Sequence, residues 1–96
     1  MTDDALALVN NTDDSRYEAR IDGDIVAFAD YRRTDAGIEF PHTVVDQRAN
    51  GRGIGSALIR FALDDVRERR LGPVVPRCWF VAGWIERHPE YADLLT

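Results

Sequence analysis

The sequence predicts one small α/β or α+β domain over residues 1–96, in which several short, mostly antiparallel strands precede one long helix. Three observations support this fold class. The chain is 96 residues long, 45% hydrophobic and 30% charged, which is typical of a single globular domain. As far as Val45 the sequence indicates short strands, each an apolar or an alternating run, joined by polar turns. A helical spacing of apolar residues begins only after a glycine-rich loop.

Turn residues divide the first part of the chain into four predicted strands. Asp22-Gly23 is a two-residue hairpin signal, and the polar segment from Asn10 to Asp14 predicts another turn. Pro41 removes a backbone donor, so it predicts a bulge or a local splay within the fourth strand. The strands are expected at Ala5–Val9, Ser15–Ile21, Ile25–Tyr31 and Gly37–Val45.

The second part of the chain predicts two helices with a short strand between them. Apolar spacing indicates an amphipathic helix from Ile54 to Arg69-Arg70, which Gly72-Pro73 ends. A fifth strand is expected at Val74-Val75 and a short helix over Cys78–Glu86. The apolar side chains of that last helix are interpreted as core, with an acyl-chain pocket or partner surface as the alternative: Trp79, Phe80, Val81, Trp84 and Ile85.

Charge and residue counts exclude several classes of function. The net charge of −5 argues against a nucleic-acid partner, which would require a basic surface. All 12 basic residues are arginines, so P-loop and Schiff-base chemistry, which need a lysine, are excluded. The single cysteine excludes an internal disulfide and a CxxC-type zinc site, and no metal is expected. Without a signal peptide or an apolar run of about 18 residues, the chain is predicted to be cytoplasmic with no membrane partner.

The segment Gly51-Arg52-Gly53-Ile54-Gly55-Ser56 lies directly before the long helix. Amides in the first turn of a helix are unpaired, and glycine lets the backbone approach a phosphate closely. Residues 47–60 contain three arginines and no acidic residue, so the segment predicts a phosphate-binding loop, with a simple tight turn as the alternative. A dinucleotide fold is excluded, because the glycine spacing differs and antiparallel strands precede the loop.

The segment Gln47–Leu58, QRANGRGIGSAL, resembles the acyl-CoA pyrophosphate loop of the GNAT acetyltransferase superfamily. The superfamily signature is Q/R-x-x-G-x-G/A. Aligned on the last two glycines, its first position falls on Asn50, an amide that adds no charge. With the V-P-x-C segment in Val74–Phe80, the chain is similar over roughly residues 6–95 to the minimal branch of that superfamily.

The resemblance implies a small GNAT-like fold, a mixed sheet of about five strands that splays between the strand ending at Val45 and the strand at Val74-Val75. The pantetheine arm of acetyl-CoA would lie in that opening, and its pyrophosphate would bind the loop amides, with Arg48 or Arg52 supplying charge. The coenzyme-binding residues that follow from it are Val44, Arg48, Asn50, Gly51, Arg52, Gly53, Ile54, Gly55 and Ser56.

Two residues are candidates for the chemistry. Cys78 is the only thiol, and it could accept the acetyl group or line the thioester end of the site; a buried apolar role is the alternative. His42 could take a proton from an amine, or be a strand histidine satisfied locally. Glu39 lies on the strand where several larger GNAT enzymes place a catalytic glutamate, but in a regular strand it would face away from His42.

The function implied by the resemblance is transfer of an acetyl group from acetyl-CoA to an amine, with direct attack favoured over an acyl-cysteine intermediate. A CoA-binding module with little catalysis, acting in regulation or protein interaction, is one alternative. A small interaction domain that binds no CoA is another. The sequence allows a protein, a peptide or a small-molecule amine as the acceptor.

Overall fold

The computed structural model describes residues 6–95, which form a five-stranded sheet with two α-helices. The strands follow chain order across the sheet; the first four are antiparallel, and the fifth runs parallel to the fourth. The predicted mixed sheet and α+β class are therefore confirmed. The strands are β1 (Leu6–Asn11), β2 (Arg16–Ile21), β3 (Asp24–Thr34), β4 (Gly37–Val45) and β5 (Val74–Val75). The helices are α1 (Ile54–Arg69) and α2 (Trp79–Arg87), with 3₁₀ helices at Gln47–Ala49 and Pro89–Leu95.

Strand β1 extends further than predicted, since it includes Asn10 and Asn11, where the sequence predicts a turn. Asn10 Oδ1 accepts a 2.9 Å hydrogen bond from the Tyr31 hydroxyl, and Asn11 Nδ2 donates one of 3.0 Å to Glu18 Oε2. These bonds across the sheet hold both asparagines in strand geometry, which a local turn signal does not anticipate. β3 also continues beyond its predicted end. Ala5, the predicted start of β1, lies outside the described residues.

Strand β4 contains the bulge that Pro41 predicts. Two residues of β4, Phe40 and Pro41, lie opposite the single β3 residue Tyr31. One extra residue shifts the alternation of side chains by one position. Phe40 therefore faces the core before the bulge, and Thr43 and Val45 face the same side after it. The bulge decides which β4 side chains face the two helices.

The core lies between the sheet and α1. Tyr17 of β2 is fully buried there, and its hydroxyl donates a 2.7 Å hydrogen bond to Asp65 Oδ2 on the helix. Burial, and then the adjacent Asp65 carboxylate, raises the pKa of Tyr17 far above its ordinary value, so the hydroxyl remains a donor. The largest fully buried side chains include Trp84, Tyr17, Phe40, Ile38, Leu58, Ile59 and Leu63.

Strand β5 accompanies only the first part of β4. It pairs in parallel with Ile38 and Glu39, and the Cys78 amide then donates a 2.9 Å hydrogen bond to the Phe40 carbonyl. Beyond this bond, β4 continues to Val45 without β5 beside it. The predicted splay between the two strands is therefore present, and it lies between the end of β4 and the start of α2.

The sheet face opposite α1 carries a buried carboxylate. Glu18 is fully buried, and it accepts hydrogen bonds from Asn11 Nδ2 at 3.0 Å and Arg20 Nε at 2.9 Å. Arg16 Nε lies 3.9 Å from its Oε2. Burial alone would raise the pKa of Glu18, but the Asn11 and Arg20 hydrogen bonds outweigh it and lower that pKa below the ordinary value. Folding therefore favours the ionised form.

We expect Glu18→Gln to lower the free energy of unfolding by about 1–3 kcal/mol near neutral pH, because a neutral amide cannot replace the ionic contacts. A lowered folded-state pKa gives stability that is present above the unfolded-state pKa and lost as the pH falls through the folded-state pKa. Urea unfolding over a pH series measures the free energy of unfolding of wild type and of Glu18→Gln. The gap between these two values should shrink as the pH falls. Glu68→Gln, at an exposed carboxyl of α1, is the matched control. This account would be contradicted if Glu18→Gln and Glu68→Gln lost the same free energy of unfolding. It would also be contradicted if the loss in Glu18→Gln did not depend on pH.

Candidate functional site

A cavity of about 410 Å³ lies in the opening between β4 and α2. Three elements form its walls: the end of β4, the glycine-rich loop before α1, and the first residues of α2. Its volume falls in the range of small-molecule sites, about 300–1,000 Å³. The cavity therefore occupies the place at which the sequence predicts a coenzyme.

The loop presents backbone amides at this cavity. Gly51 and Gly53 have φ angles of 77° and 73°, which glycine adopts without strain, and a Cβ at either position would meet open space. Gly53 is the N-cap of α1, and among the described residues no side chain caps that helix. The Ala57 amide closes the first turn with a 3.0 Å hydrogen bond to the Gly53 carbonyl. The amides that precede Ala57 in this turn are therefore suited to binding an anion.

Asp46 anchors the start of the loop. Its amide donates a 2.8 Å hydrogen bond to the Val26 carbonyl, which ties the loop to β3. Its carboxylate accepts a 2.8 Å bond from the Arg48 amide and so caps the following 3₁₀ helix. The Arg48 amide and side chain lower the pKa of Asp46, which keeps the cap ionised. Together these bonds fix the start of the loop against β3.

Gly55 is required by packing rather than by its dihedral angles. A Cβ at this position would lie 3.0 Å from Phe80 Cζ and 3.3 Å from Val45 Cγ2. The first turn of α1 therefore touches both of the other cavity walls, with room for only a hydrogen atom. Within one glycine repeat, Gly53 gives the loop its conformation and Gly55 sets the spacing of the walls.

Most of the loop residues predicted to bind the coenzyme line the cavity, and the others lie outside its lining. Ile54 is buried in the core, while Val44 and Arg52 are exposed. The side chain of Val44 lies on the sheet face opposite the cavity, because the bulge turns its neighbours Thr43 and Val45 inward. The predicted residues in the lining are Asn50, Gly51, Gly53, Gly55 and Ser56.

Arg48 is held by two carboxylates instead of facing the cavity. Its Nε lies 3.3 Å from Asp46 Oδ1, and its Nη1 lies 3.5 Å from Asp24 Oδ2. Asp24 comes from the start of β3, far from Arg48 in the sequence. These two carboxylates offset the charge of Arg48. The positive charge near the loop is therefore smaller than the count of arginines in residues 47–60 suggests.

The cavity is also lined by three residues that the sequence does not assign to the coenzyme site: Thr43, Val45 and Ala49. Trp79 and Phe80 line it as well, and for them the sequence left an acyl-chain pocket open as the alternative to a core role. The expectation that α2 closes the core is right for its inner face, where Val81, Trp84 and Ile85 are buried. Its first two residues differ, since Trp79 is 84% exposed and Phe80 is only partly buried. The available signal was the aromatic pair directly after the V-P-x-C segment.

Ser56 is tied to the core through Trp84. The indole is 1% exposed, and its Nε1 donates a 2.8 Å hydrogen bond to Ser56 Oγ. The amide of Ser56 belongs to the first turn of α1 and remains part of the cavity wall. The hydroxyl thus has a structural partner, while the backbone faces the site.

We expect Ser56→Ala to lower the free energy of unfolding by about 1–3 kcal/mol, because it leaves a buried indole N–H unpaired. If CoA binds at this cavity as the sequence predicts, its affinity should change by less than about threefold, since the amide is retained. Urea unfolding and calorimetric titration of one preparation measure both effects. In a Trp84→Phe background the same change should cost much less stability. Unaltered stability with a large loss of CoA affinity would show that the hydroxyl serves the ligand instead.

Cys78 is the N-cap of α2 and is 9% exposed. Burial alone would raise the pKa of its thiol. The Thr43 hydroxyl and the backbone amides of Val81, Phe80 and Thr43 outweigh that effect and lower the pKa below its ordinary value. Reactive cysteines at helix N-termini are activated by the same physical effect. The position therefore favours a thiol that ionises more readily than a free one.

His42 lies on the other face of the sheet from Cys78. Its ring stacks on Phe28, with centroids 6.3 Å apart and 22° between the planes. The guanidinium of Arg16 lies over the same Phe28 ring at 4.2 Å. The next residue along β4, Thr43, faces the cavity. The two predicted catalytic residues therefore flank β4 from opposite sides.

Glu39 shares the face of His42, contrary to the expectation for a regular strand. Their partners on β3 are Arg32 and Asp30, which are two residues apart and so point the same way. Glu39 Oε1 lies 2.9 Å from Arg32 Nη2, and its Oε2 lies 3.5 Å from Arg77 Nε. The Arg32 hydrogen bond, with the charges of both arginines, lowers the pKa of Glu39 despite partial burial. Such a carboxylate is a poor general base near neutral pH.

The GNAT resemblance implies a glycine-rich loop before the long helix and an opening between the fourth and fifth strands, and the structure contains both. The sequence profile described as GCN5-related N-acetyltransferase matches residues 16–94. The chain belongs to this family. The match to the GCN5-related N-acetyltransferases supports an acyl-transfer function in general, and it covers β2 to the C-terminal 3₁₀ helix. None of the curated proteins compared with this family member matches it.

Two further findings concern this N-acetyltransferase family member within residues 6–95. That part of the chain contains no helix long and apolar enough to cross a membrane. It also contains no group of three or more His, Cys, Asp or Glu side chains arranged to hold a metal ion.

Proposed function

We propose that the chain is an acetyl-CoA-dependent N-acetyltransferase that acts on an amine of a protein, peptide or small-molecule acceptor. The supporting observation is the cavity between the uncapped first turn of α1 and the end of β4. This cavity joins an anion site to a wall with aromatic side chains, and acetyl-CoA joins a pyrophosphate to a long flexible arm. The proposed location is the cytoplasm, where a free thiol such as Cys78 stays reduced.

In the proposed binding mode, one part of acetyl-CoA contacts the loop and another part contacts β4. The amides of the first turn of α1 would hold the pyrophosphate, and the Asn50 side chain would contribute a neutral donor. The pantetheine arm would run along β4 near Val44, where β5 is no longer beside it. Backbone hydrogen bonds to an extended ligand suit such an open strand edge. Trp79 and Phe80 would cover the arm.

The chemistry is attack of the acceptor amine on the thioester carbonyl carbon. A carbon–nitrogen bond forms, the carbon–sulfur bond breaks, and CoA leaves as a thiolate that takes up a proton, while the amine gives up one. His42 would receive the amine proton if the acceptor approaches β4 from the face opposite the loop. A β4 amide would stabilise the negative charge that develops on the carbonyl oxygen.

Two measurements test this proposal in sequence. Thermal unfolding with CoA at about 100 times its Kd should show a gain of about 2.7 kcal/mol, and no shift at millimolar CoA would overturn the proposal. CoA release is then followed with acetyl-CoA and three acceptors: a lysine peptide, a peptide with a free N-terminus, and a small primary amine. The chain has no lysine, so background self-acetylation is confined to its N-terminus and Cys78.

The second candidate is a CoA-binding module with little catalysis. The observation that favours it is the engagement of Glu39 by Arg32 and Arg77, which leaves that carboxylate unsuited to proton transfer. A stability gain with CoA, combined with no acetylation of any acceptor in the panel, would support this function instead.

A further inference from the structure

A groove with a volume of about 490 Å³ runs along α1, separate from the cavity beside β4. The groove and the cavity share Gly53 and Ser56, so they meet at the first turn of this helix. From there the groove continues past Arg60, and Leu8 and Phe61 give it apolar walls. A ligand held at the first turn of α1 can therefore extend into both the cavity and the groove.

The Arg60 guanidinium is held in the wall of the groove by two aromatic side chains. Its Nη1 donates a 3.2 Å hydrogen bond to the Tyr91 hydroxyl. Its Cζ lies 5.3 Å from the ring centroid of Trp84 and 5.7 Å from that of Tyr91, both within the range of a cation–π interaction. Trp84 and Tyr91 are buried, so two side chains of the core fix the position of this cation.

The charge of Arg60 is not neutralised by an ion pair, unlike that of Arg67 further along α1. Arg67 Nη1 lies 2.6 Å from Asp93 Oδ2. Within residues 6–95, no carboxylate lies at ion-pair distance from Arg60, and its one hydrogen bond is the one to Tyr91. An arginine side chain has five N–H donors, so most of those of Arg60 remain available to an anionic ligand.

One carboxylate, that of Asp64, also lines the groove. Its Oδ1 accepts a 2.7 Å hydrogen bond from the Tyr91 hydroxyl, which thus lies between the two charges. Arg60 follows Ser56 by one turn on the same helix face, about 6 Å along the axis, and Asp64 follows by one turn more. An anion bound near the first turn of α1 therefore meets Arg60 before Asp64.

We propose that Arg60 binds the 3′-phosphate of CoA and that the groove takes the adenosine end of the coenzyme. The inference rests on the proposed function, in which the first turn of α1 holds the pyrophosphate. In CoA a single ribose ring separates the 3′-phosphate from the pyrophosphate, which suits a cation one helical turn beyond the anion site. Arginine fits a phosphate because its planar fork donates two parallel hydrogen bonds. Arg60 thereby selects CoA over dephospho-CoA, which lacks only that phosphate.

The test is calorimetric titration of the protein with CoA and with dephospho-CoA. Wild type should bind CoA about tenfold more tightly, because dephospho-CoA lacks the charge-assisted contact. Arg60→Gln removes the cation, so its affinities for the two ligands should lie within about twofold of each other. Arg33→Gln removes an exposed arginine at the end of β3 away from the loop, and this matched control should keep the tenfold preference.

Equal affinity of wild type for CoA and dephospho-CoA would overturn the inference, and so would a tenfold preference that persists in Arg60→Gln. If circular dichroism shows that Arg60→Gln is not folded, Arg60→Met replaces it, because an unbranched side chain can still pack on Trp84 and Tyr91. Absence of binding by both ligands would overturn the proposed function together with the inference. Binding of both ligands with equal affinity overturns the inference alone, so the two failures are distinguishable.

Discussion

Replacing Gly53 with aspartate is expected to lower CoA affinity by about 100-fold or more. Gly53 is the N-cap of α1, and a Cβ there meets open space at the cavity. A carboxylate would compete for the free amides and repel the pyrophosphate. Two unit charges 4 Å apart interact by about 4 kcal/mol at an effective dielectric constant of 20, and each 1.4 kcal/mol is a factor of ten. Calorimetric titration with CoA measures the loss.

Gly53→Asn is the matched control, because asparagine has nearly the same size without the charge. Both residues tolerate a positive φ better than most, so the backbone strain is comparable. The asparagine variant should lose less than about tenfold in affinity, and added salt should narrow the gap between the variants. Equal affinities would contradict an anion site at this turn. Gly55 cannot serve the same purpose, since a side chain there would collide with Phe80 and Val45.

His42→Ala is expected to lower kcat/KM for acetyl transfer by about 10²–10⁴-fold, the usual contribution of a general base. CoA affinity should not change, because His42 stacks on Phe28 on the face away from the cavity. Steady-state kinetics with the best acceptor and calorimetry with CoA measure the two quantities. A His42→Ala enzyme with normal kcat/KM would exclude His42 as the base.

Cys78→Ala provides the contrast that separates the two routes of transfer. In direct transfer this variant keeps measurable turnover, since the acetyl group never forms a bond to the Cys78 sulfur. In an acyl-cysteine route, wild type incubated with acetyl-CoA gains one acetyl mass that hydroxylamine removes, and Cys78→Ala gains none. We expect direct transfer. Rapid, stoichiometric labelling of Cys78 that decays at the turnover rate would overturn that expectation.

The sequence predicts this fold well where the signals are local. The Pro41 bulge and the helix from Ile54 each depend on residues within a few positions. Which face each β4 side chain takes beyond the bulge is harder to predict from the sequence, because the rule of alternating faces assumes a regular strand. It turns Thr43 toward the cavity and brings Glu39 onto the face of His42. Inserting one residue into the pattern changes every assignment that follows.

The candidate site was predictable at the loop and less so elsewhere. Glycine spacing and the helix start are local features, so the sequence predicts the loop that contains Gly51 and Gly53. The sequence predicts Arg48 at the coenzyme, yet Arg48 pairs with Asp24, whose proximity depends on the packing of β3. The cavity role of Trp79 likewise depends on where α2 begins relative to β4. The positions of the Arg48 and Trp79 side chains are therefore determined by contacts between segments that are distant in the sequence.

The two tryptophans differ in exposure enough to report on separate events. Trp79 is 84% exposed at the cavity, whereas Trp84 is 1% exposed, with its ring 3.7 Å from that of His88. The emission of an exposed indole responds to what covers it, and that of a buried indole responds to loss of the core. The unmodified chain therefore carries two intrinsic fluorescent probes, one for occupancy of the cavity and one for folding.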